Sequence, residues 1–180
     1  MYRILSGIMT LTQHIATLLS NPESYRPPQC PTCFLAGLWK HGFYTRKADR
    51  CVILTDESHP PILIPRYLCP GCGHTCSRLP SCIPPGRWYS WLFQQKVLLY
   101  LLGSYTLHGC QTRFAVCRST IRRWWNWLIS RTSVFEFNLR SRIPEWGRFA
   151  DFESFWIGAL NCMPLSEMMA SLDHDGLIIP

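Results

Sequence analysis

Between residues 58 and 135 the sequence contains no aspartate or glutamate. That absence removes the carboxylates that general acid–base catalysis most often uses from nearly half of the chain. Charge is scarce throughout: only 16% of residues are Asp, Glu, Lys or Arg, against roughly a quarter in an ordinary globular chain. With 47% hydrophobic residues and eight tryptophans, this is not a disordered composition, which would be rich in charge and poor in aromatics. Long apolar runs are missing too. The most apolar stretch, residues 97–102, is far shorter than the roughly 20 residues of a membrane-spanning helix, so no membrane association is expected. Nor does the opening MYRILSGIMTLTQHIATLLSNP read as a secretory signal: its apolar runs are broken by Thr, Gln and His, and no small-residue cleavage site follows. Internal repeats and low-complexity tracts are absent. These absences place the protein in the cytoplasm, a reducing compartment. Its ten cysteines are therefore expected as metal ligands or free thiols rather than as disulfides.

What fills the acid-free stretch is basic: Arg66, Arg78, Arg87, Lys96, Arg113, Arg118, Arg122, Arg123 and Arg131. Beyond it acids outnumber bases, so a polyanion-binding middle is followed by a mildly acidic segment. A solvated basic surface without a partner is the plainer alternative. Breakers divide the chain into an N-terminal helical segment (1–24), a Cys- and Pro-rich block (25–85), an aromatic, basic helical module (86–131) and a C-terminal helical segment (132–180). The first contains a short amphipathic helix over 12–20, with Ile15, Leu18 and Leu19 on one side, stopped by Asn21-Pro22. Met9 offers an alternative start, which would make the first eight residues dispensable. In the second block, residues 51–54 and 62–68 read as β-strands.

The cysteines at the centre of this block come as two C-x-x-C pairs, Cys30/Cys33 and Cys69/Cys72, with Gly73 following the second. Each pair forms a turn that points two sulfurs at one ion. Together they supply the four thiolates of a closed tetrahedral zinc site. The 35 residues between the pairs suffice for a hairpin or small sheet, the layout of a zinc ribbon. Four cysteines leave no position open for water, which speaks for one structural Zn2+ and against a zinc hydrolase. His74 and Cys76 are near enough in sequence to exchange with a ligand. Cys51, Cys82, Cys110, Cys117 and Cys162 stand singly and read as buried free thiols. His41 and His59 read as exposed loop residues.

The third block reads as three helices, over 88–102, 106–116 and 119–128, with a turn at Cys117-Arg118 and a serine N-cap on the last. On a wheel of about 100° per residue, Ile121, Trp124, Trp125 and Leu128 fall on one face of the last helix. Ser119, Arg122, Arg123 and Asn126 fall on the other side, with Thr120 and Trp127 at its edge and Arg118 at the helix start. The apolar side suits a core. The polar side offers the guanidinium and amide groups that read guanine and adenine edges in a major groove. Two short helices, a tight turn and a basic second helix describe a helix-turn-helix. A further helix is expected over about 151–162.

The string Ser-Thr-Ile-Arg-Arg-Trp at 119–124 resembles the start of the recognition helix of many bacterial transposases, where Ser-x-Ser-Thr-Val-x-x-Trp follows a zinc ribbon. His-Gly-Phe-Tyr-x-Arg at 41–46 and Ile-Pro-Arg-Tyr-x-Cys-Pro-x-Cys at 64–72 are similar to the ribbon of such proteins. Over residues 25–128 the chain resembles short zinc-ribbon plus helix-turn-helix proteins associated with insertion sequences. The resemblance implies metal at Cys30, Cys33, Cys69 and Cys72, and contact with double-stranded DNA through the helix that holds Arg122 and Arg123. It also brings in a transposase or another protein as a further partner. The chain departs from that pattern at Gln111, where a small residue is usual, and at Ala115, where the turn carries glycine. No segment after Leu128 suits the three-carboxylate nuclease fold of transposases. The expected fold class is α+β: a small zinc ribbon of short strands, a helix-turn-helix module and a mainly helical C-terminal tail. The expected function is DNA binding without catalysis. A zinc-stabilised protein–protein adaptor and a zinc-dependent enzyme are the rival readings.

Overall fold

The computed structural model describes residues 3–46, 61–86 and 89–179. The strand expected at 51–54, together with Cys51 and His59, lies outside these, as do residue 87 and residue 88, the first of the expected first helix of the basic module. The fold is mixed α and β. The elements are β1 (Ile4–Leu5), α1 (Leu11–Ser20), β2 (Trp39–Arg46), β3 (Ile62–Leu68), β4 (Thr75–Cys76), β5 (Leu79–Pro80), α2 (Trp91–Leu102), α3 (Leu107–Phe114), α4 (Arg118–Arg142), α5 (Phe152–Cys162) and α6 (Leu165–His174). Single 3-10 turns occupy Pro22–Tyr25 and Pro144–Arg148. The chain divides into two compact units, Met1–Ser90 with Met169–Pro180, and Trp91–Met168. Among the described residues no helix is long and apolar enough to cross a membrane.

In the first unit, β2, β3 and β4 form an antiparallel sheet in that order. The register of β2 on β3 shifts between Lys40 and Phe43, where Gly42 adopts a φ of 78°, a glycine-favoured bulge. Pro65 lies beside this irregularity, where β4 no longer pairs with β3, so its missing N–H is tolerated in a central strand. One side of the sheet packs Tyr67 against Tyr25 and Leu38, with Leu5, Ile8, Leu18 and Cys76 around them. The other side closes Ile64 under Leu79 and Ile83.

The N-terminal helix is capped by a reciprocal Thr10–Gln13 box and ends at Asn21 before Pro22, as the sequence indicates. Its orientation differs from the expectation. The buried residue is His14, Leu18 is half-buried, and Leu11, Ile15 and Leu19 face solvent. The His14 Nε2–H donates to the Leu63 carbonyl at 2.9 Å, leaving Nδ1 to accept from the Tyr25 hydroxyl. Two buried polar partners thus outrank aliphatic periodicity in setting the helix's rotation. Residues within 3–8 are nonetheless packed into this unit. Ile4 is 2% exposed and pairs in parallel with Leu79, and the Ser81 hydroxyl donates to the Ile8 carbonyl. The buried Asp173 carboxylate accepts the backbone N–H groups of Arg3 and Ile4.

In the second unit Phe93 of α2 makes edge contacts with both Phe114 of α3 and Trp124 of α4, at 5.9 and 6.5 Å between centroids. Three helices therefore meet on one ring. The last helix of the basic module runs well past the expected end at Leu128, reaching Arg142. No proline or glycine interrupts residues 118–142, and the change of charge sign near 132 marked no structural boundary. Pro144 starts the 3-10 turn that ends the run. The segment after it follows the sequence closely: Asp151 caps α5 through a reciprocal bond with Ser154.

Candidate metal centre and basic helix face

The two C-x-x-C turns adopt the same hydrogen-bonded form. The Cys30 N–H donates to Leu35 O at 2.8 Å and the Phe34 N–H to Cys30 O at 3.0 Å. In the second turn the Cys69 N–H donates to His74 O at 2.9 Å and the Gly73 N–H to Cys69 O at 3.0 Å. Phe34 and Gly73 are therefore equivalent positions, and both are left-handed, with φ of 61° and 68°. Gly73 does what its residue type suggests. Phe34 does the same with a bulky side chain, which the sequence did not indicate.

All four sulfurs, of Cys30, Cys33, Cys69 and Cys72, lie within 4.8 Å of one another, close enough to hold a metal ion. The Cys30–Cys72 and Cys33–Cys69 separations are 3.6 and 3.4 Å. A tetrahedral ion with sulfur at 2.3 Å needs an edge of about 3.8 Å, so the donor set fits. Cys30 and Cys69 are buried, while Cys33 and Cys72 are exposed. As thiols they split. The Cys33 backbone N–H, with that of Thr32, pushes Cys30 down to about 6, and Cys69 is lowered by the Cys72 and Gly71 amides. The His74 amide also pulls on Cys72, yet desolvation and the three neighbouring sulfurs push it up to about 12. Four adjacent thiolates repel one another, and a dication removes that conflict. His74 and Cys76 stand outside the four-sulfur group. Cys76 is half-buried, and burial raises its thiol further from the charged form.

The isolated cysteines divide differently from the expectation. Cys110 is buried and Cys82 is half-buried, but Cys117 and Cys162 are exposed. Cys117 is the N-cap of α4, two residues before the expected serine cap. The Ser119 hydroxyl, 3.0 Å from its sulfur, and the backbone N–H groups of Ser119 and Thr120 lower its pKa.

The predicted polar face of α4 is present. Ile121, Trp124 and Leu128 are buried, whereas Arg118, Ser119, Arg122, Arg123 and Asn126 are exposed and Thr120 is half-buried. Trp125 and Trp127 are half-buried, edge-on to Phe152 and Phe135. The turn before α4 rests on Ala115 at φ 53°, a left-handed alanine in the place of the expected glycine. Gln111 is exposed on α3 and its carbonyl accepts the Ala115 N–H, so neither departure breaks the two-helix geometry. Arg118 reaches His108 Nδ1 at 3.2 Å. Arg113, not singled out in the sequence, is exposed with its guanidinium over the Tyr100 ring, which in turn stacks on Tyr105 at 3.9 Å. An exposed Arg one turn after a Gly-Cys pair carries no signal of its own. Only packing brings it over a ring thirteen residues earlier.

No curated protein and no solved structure matches this chain. Residues 30–124, more than half of the 180, match a family described as a domain of unknown function (DUF6431). The match opens on the first cysteine of the metal group and closes on the buried Trp124, so it takes in both C-x-x-C turns together with Arg122 and Arg123. The chain belongs to this family.

Proposed function

We propose that the chain is a zinc-containing, double-stranded DNA-binding protein of mobile-element type, resembling the DNA-recognition part of transposases. Zinc at Cys30, Cys33, Cys69 and Cys72 holds the ribbon, whose clusters are small for independent stability. The α4 face contacts DNA through Arg118, Ser119, Thr120, Arg122, Arg123 and Asn126. One observation carries the reading: a helix that follows a three-residue turn buries Ile121, Trp124 and Leu128 and leaves Arg118, Arg122, Arg123 and Asn126 in solvent. Phosphate contacts set register, and Arg or Asn at base edges gives sequence preference. No catalytic residue is assigned, the setting is the cytoplasm, and a transposase acting on the same site is a fitting partner.

Selection from random duplexes followed by titration of wild type and the Arg122→Ala/Arg123→Ala protein tests this. A consensus, with weaker binding by the double variant, is the expected result. No enrichment, or binding indifferent to both arginines, refutes it. A protein–protein adaptor is the second reading, favoured by the stripe of Leu11, Ile15 and Leu19 on α1, where Leu19 is 82% exposed. In that case metal content persists and salt-sensitive duplex binding does not appear.

A further inference from the structure

The small sheet of the first unit has two faces, and one of them is open at the cysteine end. Directly paired residues of antiparallel strands share a face. Lys40, Tyr67 and Cys76 therefore line the side covered by Tyr25 and Leu38, while Trp39, Leu68 and Thr75 form a row on the opposite side. Alternation along β3 adds Arg66 and Ile64 to that opposite side. Leu79 and Ile83 close it over Ile64. At the other end Trp39 is 61% exposed, Thr75 is exposed and Leu68 is half-buried. The Arg66 guanidinium lies over the Tyr44 ring at 5.3 Å, which holds it beside this row.

Phe34 lies five residues before Trp39, on the first cysteine turn, and is 66% exposed. Its left-handed backbone disfavours any side chain with a Cβ. A ring left in solvent gains no burial to offset that. The equivalent position in the second turn is glycine, so the fold does not require the ring. The surroundings carry one sign of charge. Residues 24–46 and 61–86 contain no aspartate or glutamate. Lys40 is matched by Glu23 at 2.6 Å on the covered side. Arg66 has no ion pair among the described residues.

Exposed flat rings, a guanidinium held by stacking and an absence of carboxylates suit a ligand that is both anionic and aromatic. We propose that this open end of the sheet binds unpaired nucleotides of single-stranded DNA, with Trp39 and Phe34 stacking on bases and Arg66 contacting phosphate. Stacking on exposed aromatics is tolerant of sequence, and a cationic neighbour tracks the backbone. The inference rests on reading the chain as a nucleic-acid-binding protein, but it uses none of the residues assigned to duplex binding.

The test is a fluorescence-anisotropy titration of the zinc-loaded full chain with a labelled thymidine oligonucleotide, beside a labelled duplex. Four proteins are compared: wild type, Phe34→Gly, Trp39→Ala and Arg122→Ala/Arg123→Ala. Glycine suits the backbone at residue 34, so Phe34→Gly should keep or raise the melting temperature while binding the oligonucleotide on the order of tenfold more weakly. Trp39→Ala should show a similar loss, and the α4 double variant should stay within about twofold of wild type on the oligonucleotide. Wild type that binds duplex but not oligonucleotide overturns the proposal and leaves the α4 reading standing. Oligonucleotide binding without duplex binding does the reverse. The proposal is also overturned if Phe34→Gly and Trp39→Ala both bind the oligonucleotide as wild type does. It fails equally if the two rings prove necessary only for self-association or for capture of an acidic peptide.

Discussion

Backbone conformation at single residues gives the most direct tests of the fold. Phe34 and Gly73 occupy one left-handed position in two copies of the same turn, and a Cβ added at Gly73 would meet nothing within 4 Å. Strain alone therefore sets the outcome at Gly73, and at Phe34, 66% exposed, it outweighs the little burial the ring has. Phe34→Gly should stabilise and Gly73→Ala destabilise, each by about 1 kcal/mol in urea unfolding of the metal-loaded protein. His14 gives a pH test. Burial holds its folded pKa below the ordinary value, although the Leu63 carbonyl opposes this. Between that lowered value and about 6.5 the unfolded chain binds the extra proton, so stability rises with pH across the window. It is lost as pH falls below about 6.5, because a protonated ring can no longer accept from Tyr25. Urea midpoints at pH 7.5 and 5.5 should differ more for wild type than for His14→Gln. Cys69→Ser removes one of four sulfurs. Elemental analysis should then find the bound zinc lost together with the ribbon's order, since such binding supplies on the order of 10 kcal/mol.

At the scale of elements, the short β1 strand and the last turns of α6 depend on Asp173. Its carboxyl is pushed above the usual carboxylate range by burial, against the pull of the Ile4 and Arg3 amides. The folded protein therefore binds the proton more readily than the unfolded chain, and stability declines as pH rises from about 3.9 through the folded pKa. Asp173→Asn keeps an acceptor without a charge to desolvate and should be neutral or mildly stabilising at pH 7. Asp173→Ala leaves two amides without their partner and should lower the melting temperature clearly. Deleting residues 1–8 should cost more still, because the burial of Ile4 alone is worth roughly 1.5–3 kcal/mol. Packing within the second unit is equally specific at Gly158 of α5, where an added Cβ would clash with the Phe149 ring. Gly158→Ala should destabilise by about 1–3 kcal/mol, as overpacking does.

At the scale of the whole molecule, the acid-free span supplies basic residues to both compact units, so DNA affinity should depend steeply on salt. Log affinity should fall by about 0.9 per phosphate contact for each log unit of salt. Arg122→Ala/Arg123→Ala should flatten that slope by about 2 if both touch only phosphate. If either reads a guanine, the preferred site should instead lose roughly 1–3 kcal/mol beyond the loss on random duplex. Titration at four salt concentrations separates these cases. A flat response in wild type would turn attention to the exposed α1 stripe and the adaptor reading.

The sequence by itself determined the features whose physics is local. Paired cysteine spacing fixed the four-sulfur group, because each turn closes on its own hydrogen bonds. Helical periodicity placed Ile121, Trp124 and Leu128 inside and Arg122, Arg123 and Asn126 outside, since a helix face is a property of about ten consecutive residues. Local signals set the start of α5 at Asp151 and the end of α1 at Asn21-Pro22. Tertiary structure alone decided the rest. The rotation of α1 was set by His14 finding Tyr25 and Leu63, partners 11 and 49 residues away. The anchoring of residues 3–8 depends on Leu79 and Asp173, which no window over the N-terminus contains. The left-handed Phe34 was invisible because its residue type does not favour that backbone and the turn around it imposes it; at Ala115 the resemblance marked the position, and the turn imposes the same backbone on an alanine. Charge misled at the end of α4, because a change of sign along a chain alters what a surface attracts but does not break a helix, and only Pro144 could stop one that packs Phe135 and Leu139 into a core.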